Sequence, residues 1–176
     1  MNKKPAPQQK APAGQWRLAD EPLAAALGYF IMAWSGVEAA IEISIAKQLG
    51  LTPLDGSIVT AGLQFRGRAM MLLSLLNRDP VKHAGAIKTV TEMQNIQDRN
   101  DILHSVIGGT EALIWFNRRR VDQTFKSKIE KYDRPRLLEV TLQCSDLATA
   151  LMAALDITKE DYAGFFQTAH NEANKL

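Results

Sequence analysis

The chain predicts an all-α fold: an antiparallel helical bundle, with a short β-hairpin between its third and fourth main helices. Three observations lead there. Apolar residues recur at helical spacing over several long stretches, glycine or proline punctuates the gaps, and one region only alternates as a strand pair would. The 176 residues, 46% hydrophobic and 23% charged, suit a single soluble domain with a substantial core.

Residues 1–21 read as a flexible N-terminal tail. As far as Gly14 this segment carries Lys3, Lys4, Lys10 and three prolines, and it lacks the hydrophobic centre of a secretory signal. Residues 22–176 form the one domain. Its first helix runs from Pro22 to Leu49, with Leu27, Phe30, Trp34, Val37, Ile41 and Ile45 on one face; Pro22 suits a first turn and Gly50 ends the helix. Leu51 to Ser57 reads as a loop, and a second helix spans Ile58 to Leu76. Pro80 starts the third helix, which extends to Val106 before Gly108-Gly109 interrupts it. Glu111–Asn117 and Gln123–Ile129 alternate roughly and form the hairpin, with Arg118-Arg119-Arg120-Val121-Asp122 between them. A fourth helix covers Arg134 or Pro135 to Leu155, and Thr158 to Asp161 resembles the capped start of a last helix toward Asn174.

The net charge of +2 is too small to imply nucleic-acid binding by itself, so the distribution of charge matters more than its total. Cys144 is the single cysteine, which excludes an intrachain disulfide and fits a reducing compartment. Val140, Leu147 and Leu151 place it on a helix's apolar stripe, as a buried thiol. No unbroken run of about 18 apolar residues is present, so no membrane partner is expected and the location is cytoplasmic. His83 and His170 lack metal-site spacing, and no phosphate-binding glycine loop or serine-histidine-acid set stands out, so no metal or other cofactor is expected.

The sharpest feature lies in the third helix, at Arg99-Asn100-Asp101-Ile102-Leu103-His104. Met93, Ile96, Leu103 and Ile107 fall in one stripe, with Gln94, Gln97, Asp98 and Asp101 mostly toward the other side. Asn100 falls inside the apolar stripe, and Arg99 and His104 sit on its two flanks, roughly 140° apart at 100° per residue. Polar groups turned inward must recover their lost hydration, so they have partners or a task. Glu38 is a second such group, in the middle of the first helix's stripe beside Trp34, Ile41 and Ile45. Its candidate partner is Arg99, with Arg66 or Arg68 as alternatives.

These residue types suit RNA cleavage without a metal. His104 can act as acid or base near neutrality, Arg99 offers a permanently charged donor fork for the scissile phosphate, and Asn100 can orient a neighbour or donate to a nonbridging oxygen. Plain structural roles are open to each: an interhelical amide bond, a histidine on terminal carbonyls, a snorkelling arginine. The densest basic region contains Arg118, Arg119, Arg120, Lys126, Lys128, Lys131, Arg134 and Arg136. It reads as an RNA-backbone surface, led by Arg118, Arg119, Arg120, Lys126 and Lys128. Phe125 and Tyr132 either stack on unpaired bases or enter the core.

Arginine, asparagine, three further residues and histidine near a helix end, behind upstream helices carrying Trp34-Ser35-Gly36-Val37-Glu38 and Leu63-Gln64-Phe65-Arg66-Gly67-Arg68, resembles the signature of HEPN domains over roughly residues 23 to 155. The resemblance implies a metal-independent ribonuclease in which Arg99, Asn100 and His104 are catalytic. It also implies a homodimer, because two motif helices meet across the dimer in that family and pool their residues in one cleft. RNA is then the substrate. A toxin or defence role with an inhibitory partner protein follows from the resemblance alone. The competing readings are a non-catalytic HEPN-like dimerisation or adaptor module and a nucleotide-binding regulator.

Overall fold

A computed structural model describes residues 21–109, 113–122 and 124–175, without the side chains of Glu21, Gln97, residues 119–122 and residues 124–126. The expected tail, residues 1–21, thus lies outside the described residues except for the backbone of Glu21.

Among the described residues the fold is mostly helical, with seven helices and one antiparallel three-stranded sheet, so all-α holds only approximately. The elements are α1 (Glu21–Leu49), α2 (Pro53–Ala61), α3 (Phe65–Leu76), α4 (Ala84–Gln94), α5 (Gln97–Leu103), β1 (Val106–Gly109), β2 (Ile114–Asp122), β3 (Thr124–Tyr132), α6 (Arg134–Ala154) and α7 (Lys159–Ala173).

The core follows the apolar stripes. Phe30, Trp34, Val37, Ile41 and Ile45 of α1 are buried together with Leu137, Val140, Cys144, Leu147 and Leu151 of α6, its most extensive partner. Helix α3 packs Phe65, Ala69, Leu72 and Leu76 into the same core, and α4 adds Ala86, Val90 and Met93. Both α1 and α6 are long and apolar enough to cross a membrane by length and composition, although neither contains an unbroken apolar run; here each presents a face to this core.

The ends of these two helices are built alike. Gly50, at φ +65°, closes α1, with Leu51 N–H donating to the Ala46 carbonyl and Gly50 N–H to that of Lys47. Asp156, at φ 51°, closes α6 through Ile157 N–H to Met152 and its own N–H to Ala153. Lys47 Nζ then donates to the Asp156 carbonyl at 2.6 Å and ties the two ends together.

Several boundaries differ from the sequence expectation. Leu51 to Ser57 is not all loop, because Thr52 caps α2 by accepting from Asp55 N–H and Pro53 occupies the first turn. The second helix therefore starts earlier and is cut in two at Gly62. The third helix is likewise divided. Residues 77–83 form turns, with the Asp79 side chain accepting from Lys82 N–H, and a break at Asn95-Ile96 separates α4 from α5. Helix α5 stops at Leu103, so Gly108-Gly109 do not end it but lie in β1.

The hairpin is longer than expected and has a third strand. Its register pairs Ile114 with Tyr132 and continues to Asp122 with Thr124, so Arg118-Arg119-Arg120 are strand residues rather than the connection. Strand β1 pairs Val106 with Asn117 and Gly109 with Ile114 on the other edge. Thr158 and Asp161 form the expected capping box of α7.

Candidate active site

Helix α5 has only seven residues and no side-chain bond at its N-cap, so its placement depends on what its side chains grip. Ile102 is its buried anchor. Three polar residues, Asp98, Arg99 and Asp101, tie it to α1 on one side and to the sheet and α6 on the other.

Toward α1, the Arg99 guanidinium lies 5.0 Å from the Trp34 ring centroid and 5.2 Å from that of Phe65, with the two rings edge to face at 4.6 Å. Its Nη1 donates to Asn100 Oδ1 at 2.8 Å, and its Nη2 is 3.7 Å from Glu38 Oε1. That same Glu38 oxygen accepts the Trp34 indole N–H at 3.0 Å, while Arg68 Nη2 approaches the other oxygen at 3.4 Å. Glu42 completes the row, 3.7 Å from Arg68 Nη1 and accepting from Ser57 Oγ at 2.7 Å. Of the three partners considered for it, Glu38 therefore has two, Arg99 and Arg68. Burial pulls the Arg99 pKa down, Glu38 offsets this and the neighbouring Arg68 adds to it. The aromatic faces supply further cation stabilisation in this half-dry setting.

His104 stands apart from the cluster. It follows the last helical residue of α5, with φ −120° and ψ 21°, and its side chain is exposed. It lies in the chain between the end of α5 and β1, an edge strand of the sheet. Arg99, Asn100 and Glu38 are thus brought into one cluster, whereas His104, five residues along, is exposed and makes no hydrogen bond or ion pair with it among the described residues.

Toward the sheet, the expected polar face of α5 is inward. Asp101 is 4% exposed, with Arg118 Nη1 and Lys128 Nζ each 3.4 Å away. Asp98 accepts from the Tyr132 hydroxyl at 2.6 Å and from Arg136 Nη2 at 2.9 Å. The break before α5 rephases the helix relative to α4, and the hairpin brings cations to the side that the continuous-helix pattern assigns to water. Burial and the bond to Asp98 both raise the Tyr132 pKa, and Arg136 stacks over its ring at 4.1 Å. Tyr132 is fully buried against Phe116, so it is a core residue and not a base-stacking surface.

The expected RNA surface divides accordingly. Arg118 and Lys128 are engaged by Asp101, and Lys128 also by Glu130 at 2.9 Å, although its side chain remains 62% exposed. The side chains of Arg119, Arg120, Lys126 and Phe125 lie outside the described residues. Neither Asp98 nor Asp101 is a site residue on sequence grounds. The signal that could have found them is two acids one turn apart facing a dense basic hairpin. Among the described residues no group of three or more His, Cys, Asp or Glu is arranged for a metal ion.

No protein-family model, curated protein or solved structure matches this chain. The cluster fixes one planar guanidinium on a short helix, braced by a carboxylate, an amide and two rings, and the exposed His104 follows the end of that helix. Such a pair can hold an anionic phosphodiester and move a proton on or off its oxygens.

Proposed function

We propose that the protein is a metal-independent RNA endonuclease of the HEPN type, an antiparallel helical bundle that acts as a homodimer in the cytoplasm. The single observation that carries this reading is the bracing of Arg99 by Glu38, Asn100, Trp34 and Phe65, with exposed His104 ending the same seven-residue helix. A guanidinium fixed in this way meets a developing phosphorane charge without reorganising, which is where most electrostatic catalysis is gained. His104 takes the ribose 2′-hydroxyl proton as that oxygen attacks phosphorus, and an imidazolium donates a proton to the departing 5′-oxygen. One histidine per chain serves both roles when two copies share a cleft, the arrangement implied by the HEPN resemblance. That resemblance also extends the reading to a toxin or defence effector restrained by an inhibitory protein.

A non-catalytic adaptor is the second reading, and one observation favours it: the Arg99 side chain is only 16% exposed and already has partners within its own chain. Incubating the purified protein with mixed RNA in excess chelator, beside His104→Ala, separates the two. The ribonuclease reading expects cleavage by the wild type and none by the folded, still dimeric variant. Equal cleavage by both removes His104 from the mechanism, and no cleavage by either favours the adaptor.

A further inference from the structure

The pleat of the sheet separates two faces of different character. On one face Phe116 pairs across with Glu130 and Arg118 with Lys128, and there the cations meet Asp101 and Glu130. The opposite face carries Val106 and Gly108 of β1, Trp115 and Asn117 of β2, and Ile129 and Lys131 of β3.

Trp115 is seated on Gly108, where any Cβ would overlap its ring, yet the residue remains 36% exposed. One side of the indole thus rests on bare backbone while the ring stays reachable from water. Its cross-strand partner is Lys131, exposed and in no ion pair among the described residues. The acids Asp98 and Asp101 are engaged on the far side of the sheet. The face also begins close to the site, since Gly108 lies four residues after His104, a span of no more than about 14 Å.

We propose that Trp115 and Lys131 form a subsite for single-stranded RNA, in which an unpaired base stacks on the indole and an adjoining phosphate pairs with the lysine. This inference rests on the ribonuclease reading and gives that activity a way to hold substrate beside His104. Base stacking on an exposed aromatic of a sheet, next to a cation, is the general chemistry of single-strand recognition. A second copy of the chain fits this face less well. Val106 and Ile129 are 50% and 55% exposed, but Asn117 separates them in the register and Lys131 flanks the indole, so the apolar atoms are not contiguous as in the core of a protein interface.

The test uses a labelled 2′-O-methyl oligonucleotide, which cannot be cleaved by 2′-hydroxyl attack, titrated at several salt concentrations. The full chain is compared with Trp115→Leu, Trp115→Phe and Lys131→Gln, with sedimentation of each sample and parallel cleavage of mixed RNA in chelator. Trp115→Leu is expected to weaken binding about ten-fold or more while Trp115→Phe retains most of the affinity. Lys131→Gln should flatten the log-log salt slope by about 0.7. Unchanged affinity in Trp115→Leu, with a wild type that cleaves RNA, overturns the subsite and leaves the ribonuclease reading standing. Loss of self-association with unchanged affinity assigns the face to a second copy and also overturns it. A wild type that neither binds nor cleaves overturns the ribonuclease reading and the subsite together.

Discussion

Asp101 of α5 and Arg118 of β2, 17 residues apart, meet at 3.4 Å, and the aspartate side chain is 6% exposed while the arginine side chain is 29% exposed. The asymmetry of burial sets an asymmetry of cost. Removing Arg118 leaves the buried carboxylate with Lys128, a largely exposed ammonium, as its remaining cation, whereas neutralising the acid leaves a guanidinium and an ammonium that water can reach. Arg118→Ala should therefore cost about 2–3 kcal/mol of stability and Asp101→Asn only about 1 kcal/mol. Urea denaturation of the two variants measures both. Equal costs would mean that Lys128 and water satisfy the Asp101 carboxylate without Arg118.

Arg99→Lys keeps the charge but loses the planar fork that reaches Asn100 and Glu38 while lying against two rings. If the ribonuclease proposal holds, turnover on RNA should fall about 100-fold, as when one preorganised donor is lost from an oxyanion site, with KM changed far less. Steady-state kinetics on a defined RNA gives the split. A lysine variant with wild-type turnover would show that point charge alone suffices.

Charge removal on the hairpin should separate by position. Arg119→Gln with Arg120→Gln should flatten the salt dependence of single-stranded RNA binding by about 0.7 per lost phosphate contact and leave folding intact. Arg118 is a different case, because its guanidinium already serves Asp101 and its removal lowers stability as well. Binding isotherms at several ionic strengths, with thermal melts of the same samples, test this. A salt slope equal to that of the wild type in the double variant would remove the arginine run from the RNA path.

Burial raises the Cys144 thiol to about 11, with the Asp98 charge as a smaller contribution in the same direction. The native thiol is therefore protonated at pH 8 and shielded from reagents, since the thiolate is the nucleophile. A disulfide reagent at pH 8 should label the protein only after urea is added. Folding disfavours the thiolate, so the stabilising contribution is complete below the unfolded thiol pKa and is lost as pH rises through the folded one. Rapid stoichiometric labelling of the folded protein would contradict this burial.

What the sequence determined by itself is whatever rests on local periodicity and punctuation. The extents of α1 and α6, the stop at Gly50, the buried Cys144 and the Thr158–Asp161 cap are all legible, because 3.6-residue spacing and capping chemistry act within a turn or two. So is the suspicion that Glu38 and Arg99 need each other, since two inward charges of opposite sign call for pairing. The break at Asn95-Ile96, the third strand and the inward turn of Asp98 and Asp101 are another matter. The third strand and the buried acid depend on contacts between residues far apart in the chain: β1 exists by pairing with β2, and Asp101 can be buried only because β2 and β3 deliver Arg118 and Lys128 to it. A helical wheel assigns a carboxylate to water by default, and tertiary structure reverses that wherever it supplies enough opposite charge to replace the lost hydration.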